Sequence, residues 1–127
     1  MIDQLLVDEI GNALEVSLPG VFIGRMHNNE EVTLPAVMLQ IEGEALLGSG
    51  CYRGTLQATA VSASADSSSA DHAALCSSVD QLIRALSISV PPDVALYGIV
   101  ATSTAADVDQ NQFRTTLSYT VGYGPTS

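Results

Sequence analysis

Lysine and tryptophan are absent from the 127 residues, and the basic side chains are four arginines, Arg25, Arg53, Arg84 and Arg114, against 14 acidic ones. The formal charge is −10 at pH 7. Sequence-specific nucleic-acid binding is excluded on this balance, because it needs many Lys and Arg side chains to neutralise phosphates. Anionic membrane surfaces are disfavoured for the same reason. Two cysteines, Cys51 and Cys76, are too few for a disulfide framework and read as free thiols in a reducing compartment. No apolar run approaches the ~20 residues that span a bilayer. The start, Met1-Ile2-Asp3-Gln4, lacks the positive and apolar stretches of a signal peptide. A chain kept in a cytoplasm, or in something assembled there, is expected.

What is present is apolar. At 46 % hydrophobic residues and a mean hydropathy of +0.28, the chain is no acidic disordered tail. One domain over residues 1–127 is expected, able to bury roughly two thirds of its unfolded surface.

Ile2, Leu5, Leu6, Ile10, Ala13 and Leu14 recur in steps of three and four and predict a helix over 1–17, stopped by Pro19-Gly20. Strands are expected at 21–26, 36–42 and 52–64. In the last, Arg53, Thr55, Gln57 and Thr59 alternate with Gly54, Leu56, Ala58 and Ala60. The small residues of the second set imply a helix packed closely over them. Leu75, Val79, Leu82, Ile83 and Leu86 predict a second helix over 70–86, with Ser68 and Asp71 resembling a capping box. Strands at 94–101 and 113–123 follow. In the final strand Phe113, Thr115, Leu117, Tyr119, Val121 and Tyr123 share one face. The order α-β-β-β-α-β-β makes the class α+β, a mostly antiparallel sheet with two helices on one face.

Chemistry is sparse. His72 and Cys76, four apart on a helix, share a face and could form a nucleophilic pair or half a metal site. Metal sites need three or four ligands, and the other histidine, His27, lies far along the chain. Cys76 therefore reads as a small core residue. Asp107-Val108-Asp109-Gln110-Asn111 starts like a calcium loop, but Gln112 stands where the turn glycine belongs and Ser118 where the bidentate Glu belongs. Gly48-Ser49-Gly50 lacks the third glycine of a phosphate cradle. Glu42 and Glu44 read as solvated. No catalytic residue, cofactor or metal is expected.

Surface remains. Three polar stretches, 43–51, 65–69 and 102–112, read as long loops that contact other proteins. The tyrosines roof the core or serve an interface, and the last strand is read as a sheet edge open to a neighbouring chain. The residues expected at subunit or partner contacts are Leu46, Leu47, Arg53, Asp66, Asp107, Asp109, Arg114, Tyr119 and Tyr123.

One family shares this pattern. The amphipathic first helix is followed by Leu34-Pro35-Ala36-Val37, by Tyr52-Arg53-Gly54-Thr55-Leu56-Gln57-Ala58-Thr59, by the helix Asp71-His72-Ala73-Ala74-Leu75 through Val79-Asp80-Gln81-Leu82-Ile83, by Ala95-Leu96-Tyr97-Gly98-Ile99, and by Phe113 to Val121. Over about residues 2–123 the chain resembles, in element order and style, the tail terminator and related minor tail or head–tail joining proteins of tailed bacteriophages. The resemblance implies an α+β fold and a structural, non-enzymatic role in the virion, assembled in the host bacterial cytoplasm. Six copies would form a ring, joined through sheet edges and loops, that caps the tail tube and meets the neck. The partners it implies are further copies of the chain, the tail tube protein and neck or connector proteins, with DNA passing through the lumen. Such a ring would carry about −60 (six copies at −10 each), a charge suited to repelling DNA in passage. A neck, stopper or head–tail adaptor protein is the nearest alternative. An acidic DNA mimic that inhibits a nuclease or repressor is an alternative of another class, and an enzyme a third.

Overall fold

The computed structural model describes residues 2–25, 35–45, 52–63, 69–86, 89–90, 94–109 and 112–125. In chain order the elements are α1 (Ile2–Ser17), β1 (Phe22–Arg25), β2 (Ala36–Ala45), β3 (Tyr52–Ala63), α2 (Ser69–Arg84), β4 (Ser89–Val90), β5 (Val94–Asp109) and β6 (Gln112–Pro125). The strands form one sheet in the order β1-β2-β3-β6-β5-β4. β1 runs parallel to β2, and every other pair is antiparallel. The class is α+β, as the element order implies, with the two-residue β4 as an addition.

Helix α1 buries Leu6, Val7, Ile10 and Leu14 completely. Val7, three residues before Ile10, joins this face, and α1 packs against both the β1–β2 end of the sheet and α2. The helix ends where the Leu18 amide donates to the Leu14 carbonyl at 2.8 Å. Gly20 follows with φ near +83°, a conformation that glycine adopts without steric cost. In α2, Val79 and Ile83 are fully buried, with Leu75 and Leu82 packed partly against the same core. So is Leu86, two residues past the helix end, which comes at Arg84 rather than at the expected 86. The sheet contributes Val37, Leu39 and Ile41 from β2, Leu56, Ala58 and Ala60 from β3, and Leu117, Tyr119, Val121 and Tyr123 from β6. The small residues Ala58 and Ala60 sit beneath a helix, as their size implies. The opposite face of β3 and β6 carries Arg53, Thr55, Gln57, Thr59, Arg114, Thr116, Ser118 and Thr120; the Thr59 and Thr116 hydroxyls meet across it at 3.1 Å.

Three expectations are corrected. Most of the stretch 102–112 is strand rather than loop: Thr102 to Asp109 continues β5, paired with β6 as far as Asp109↔Gln112. An outer strand exposed on both faces needs no apolar alternation, so its Thr, Ser and Ala residues read as loop. The stretch 43–51 is likewise strand as far as Ala45, because Gly43, Glu44 and Ala45 pair with Gly54, Arg53 and Tyr52. Finally, β6 is no edge: it lies between β3 and β5, and the margin of the sheet passes to β5. Residues 46–51, 65–68 and 110–111 of the expected loops lie outside the described residues.

Two helices of about 10 Å diameter cover some four strands spaced about 4.8 Å apart. α1 takes the β1–β2 end and α2 lies over β3 and β6, touching β5 on its flank. Side chains 101–105 of β5 are exposed, and Val100 retains 64 % of its accessible surface.

Candidate interaction surface and its buried supports

Spacing of four along α2 places an imidazole, a thiol, a carboxylate and a guanidinium (His72, Cys76, Asp80 and Arg84) down one flank of the helix. They stand beside the apolar stripe rather than within it, His72 turning toward β3 and β6 and the others toward β6 and β5. Two polar anchors result.

The first anchor is His72, buried to 7 % exposure. Its Nδ1 lies 2.9 Å from the Ser62 hydroxyl of β3, and its Nε2 lies 3.0 Å from the Thr115 hydroxyl of β6. Cys76 Sγ is 3.6 Å from the same Nε2, and the Phe113 ring tilts against the imidazole with centroids 5.6 Å apart. A neutral ring donates from one nitrogen and accepts at the other, so both hydroxyls are satisfied without charge. Burial lowers the His72 pKa below its ordinary 6.5.

The second anchor is one helical turn beyond Cys76. The Tyr119 hydroxyl, on β6, donates to Asp80 Oδ1 at 2.6 Å, and Arg84 Nε reaches both carboxylate oxygens at 3.0 Å. The Tyr119 hydrogen bond, followed by the hydrogen bond and charge of Arg84, holds the Asp80 carboxyl below its ordinary 3.8 against the opposing effect of burial. Burial and the Asp80 carboxylate push the Tyr119 phenol far up in turn. Replacing Tyr119 with Phe is expected to keep the fold and to cost about 1–2 kcal/mol in urea unfolding, the scale of a charge-assisted bond discounted for a partly exposed carboxylate. The wild-type advantage should be full above pH 3.8 and be lost as pH falls through the lower folded value of Asp80.

Between α2 and β5 runs an open groove of about 410 Å³, lined by Cys76, Asp80 and Arg84 on one side, Ala101 to Thr104 on the other, and Leu117 to Tyr119 along its floor. A β-bulge between Ala101 and Ser103 leaves Thr102 without a register partner, and its hydroxyl donates to the Ser118 carbonyl at 3.0 Å. Beyond the groove lies the outer edge of β5. Among the described residues it has sheet partners on that side at Val94 and Ala95 only.

The residues expected at contacts divide accordingly. Tyr119 and Tyr123 are 1 % exposed and belong to the core rather than to a free surface. Tyr123 stacks on Tyr52 with ring centroids 5.3 Å apart. Alternation along β6 carries this signal, since both share the face of Leu117 and Val121. Arg53 and Arg114 are exposed on the opposite sheet face; Arg114 Nη2 donates to Gln112 Oε1 at 3.5 Å. In register, Arg53 stands opposite Glu44, and Arg114 opposite Asp107. Asp107 and Asp109 lie at the end of β5 instead of in a loop. Leu46, Leu47 and Asp66 are outside the described residues. The sequence reading missed the Ser62 and Thr115 partners of His72 and the Asp80 partner of Tyr119. A polar residue recurring every four positions beside an apolar stripe was the available signal. Among the described residues no three His, Cys, Asp or Glu side chains group as metal ligands, and no helix is long and apolar enough to cross a membrane.

A solved structure known by a sequence identifier alone is 15 % identical to this chain, with a TM-score of 0.65 over 98 % of this chain and 92 % of that one. At that identity the likeness shows the fold. No family model matches the sequence, and no curated protein matches it.

Proposed function

We propose that the protein is a structural subunit of a phage virion, a terminator-like component that closes the tail tube as a ring and joins it to the neck. The observation that carries this reading is the margin of β5. From Leu96 to Asp109 it presents some fourteen residues of strand whose outer edge has no sheet partner among the described residues. Open edges of this length are ordinarily blunted by lysine, proline or a covering segment. Here Leu96 to Thr104 offers neither of those residues, and its small neutral side chains at 101–105 admit close approach. An uncovered strand that adds to a neighbour's sheet is a common mode of protein association. In a head-to-tail arrangement one such contact per subunit closes a ring. On this reading catalysis has no part, the partners are further copies, the tail tube and the neck, and the site of action is the tail–neck junction of a particle assembled in the bacterial cytoplasm.

Native mass spectrometry of the chain, alone and with a tail-tube protein, tests the proposal. A sixfold species in either sample is expected. Ser103→Lys with Ala105→Lys, on exposed positions of the margin, should abolish that species while leaving circular dichroism unchanged. A wild-type chain that stays monomeric and ignores the tube would overturn the reading.

A further inference from the structure

The two anchors of α2 differ in one respect that matters near neutrality: one contains an imidazole, the other a carboxylate already held in its charged form. We propose that His72 is a pH-operated latch, holding the first two turns of α2 on the sheet while its ring is neutral and releasing them when the ring becomes imidazolium.

The geometry supplies the reason. His72 lies in the first turn of α2, which begins at Ser69, where the helix dipole opposes a positive charge. The groups facing the ring are the Ser62 hydroxyl from β3, the Thr115 hydroxyl and Phe113 ring from β6, and Cys76 from α2 itself. Cys76 is the titratable group among them, and no carboxylate faces the ring from these elements. Arg114, next to Thr115, points to the other face of the sheet, and Asp71, next along α2, is exposed. Protonation makes both ring nitrogens donors. The two hydroxyls can rotate to accept, but the new charge stays buried with no counter-ion beside it among the described residues.

The direction with pH follows. A released imidazole titrates near its ordinary 6.5, whereas the packed one resists protonation to lower pH. The latch is therefore closed above about pH 6.5, weakens below it, and opens as pH passes through the depressed value of the packed ring. Asp80 keeps its charge throughout this range, so the Tyr119–Asp80–Arg84 anchor still holds the second half of the helix. Release is accordingly local, and it widens the groove at the Cys76 end.

Hydrogen exchange of the full chain at about pH 7.5 and about pH 5, compared at equal intrinsic exchange, reads this out. Amides of residues 72–77 are expected to lose protection at the lower pH, while those of 80–84, β3 and β6 keep theirs. His72→Gln, which retains a donor and an acceptor but cannot titrate, should show the closed pattern at both. Loosening across the whole chain, no loosening, or the same acid loosening in His72→Gln would each overturn the latch. Should His72→Gln not fold, the ring of His72 is followed directly by NMR in a His27→Gln background. A midpoint below 6.5 that coincides with shifts of the 72–77 amides supports the proposal, and a midpoint at or above 6.5, or one without those shifts, refutes it.

Discussion

Ile83→Ala should lower the unfolding free energy by about 2–5 kcal/mol, the range for removing a large aliphatic side chain from an enclosed site. Ile83 is fully buried and belongs to the cluster that joins α2 to α1 and the sheet. The void would lie between a helix held at both ends by polar anchors and a sheet floor that is fixed by its ladders. Neither wall is free to collapse inward, which places the cost toward the upper part of the range. Small domains are stable by only about 5–15 kcal/mol, so the variant is expected to sit close to its unfolding transition at room temperature. Urea denaturation followed by circular dichroism measures it. An unchanged slope with a lower midpoint would show that stability alone moved. Leu75→Ala, removing a partly buried residue of the same stripe, should cost distinctly less.

The second large effect concerns backbone rather than side chains. Gly54 of β3 lies opposite Gly43 of β2. A Cβ at position 54 would overlap the Glu42 carbonyl oxygen and stand 2.8 Å from the Gly43 Cα. These are backbone atoms of a paired strand and cannot rotate away, so β2 and β3 must part locally. Gly54→Ala is expected to cost about 3 kcal/mol or more, at or above the upper end for overpacking in a well-packed interior. Gly122→Ala is the internal control: its Cβ would find the Tyr52 carbonyl oxygen at 4.0 Å and nothing nearer. It should change stability by no more than about 0.5 kcal/mol. Equal losses in the two variants would mean that the close approach at Gly54 is unimportant.

The contrast between these glycines shows where sequence reading reaches and where it stops. Helices α1 and α2 are legible because burial on one side imposes a 3.6-residue period, and Leu6, Ile10, Leu14, Val79 and Ile83 obey it. β3 and β6 are legible because each has one covered face, so Leu56, Ala58 and Ala60, and Leu117, Tyr119 and Val121, alternate with polar neighbours. Side chains 101–105 of β5 are exposed on both faces, and without a buried side there is no period to find. Sheet order was also out of reach. The placement of β6 between β3 and β5 is decided by pairing across more than fifty residues, as in Thr59↔Thr116, and nothing in either strand alone records it. The anchors fail for the same reason. His72 meets Ser62 ten residues before it and Thr115 forty-three after; Tyr119 meets Asp80 across thirty-nine. The sequence displays the reactive groups of α2 at their fourfold spacing, but their hydroxyl partners look like any other Ser, Thr or Tyr.

The long pairing of β5 with β6 bears on how the chain reaches this state. The two strands are joined through residues 110 and 111 and pair over their whole length. This is the most local of the large contacts, and hairpins form in about 1–10 μs. Docking of β6 on β3 must wait for the intervening chain, α2 included, to close, and non-local pairing of that kind is slow. An early hairpin would thus exist for a time with two open margins, the inner one of β6 and the outer one of β5. Folding at high concentration is therefore a competition between β3 and a neighbouring molecule for the same row of amides on β6. The yield of correctly folded chain should rise as the concentration during refolding is lowered, even where the finished protein is fully stable.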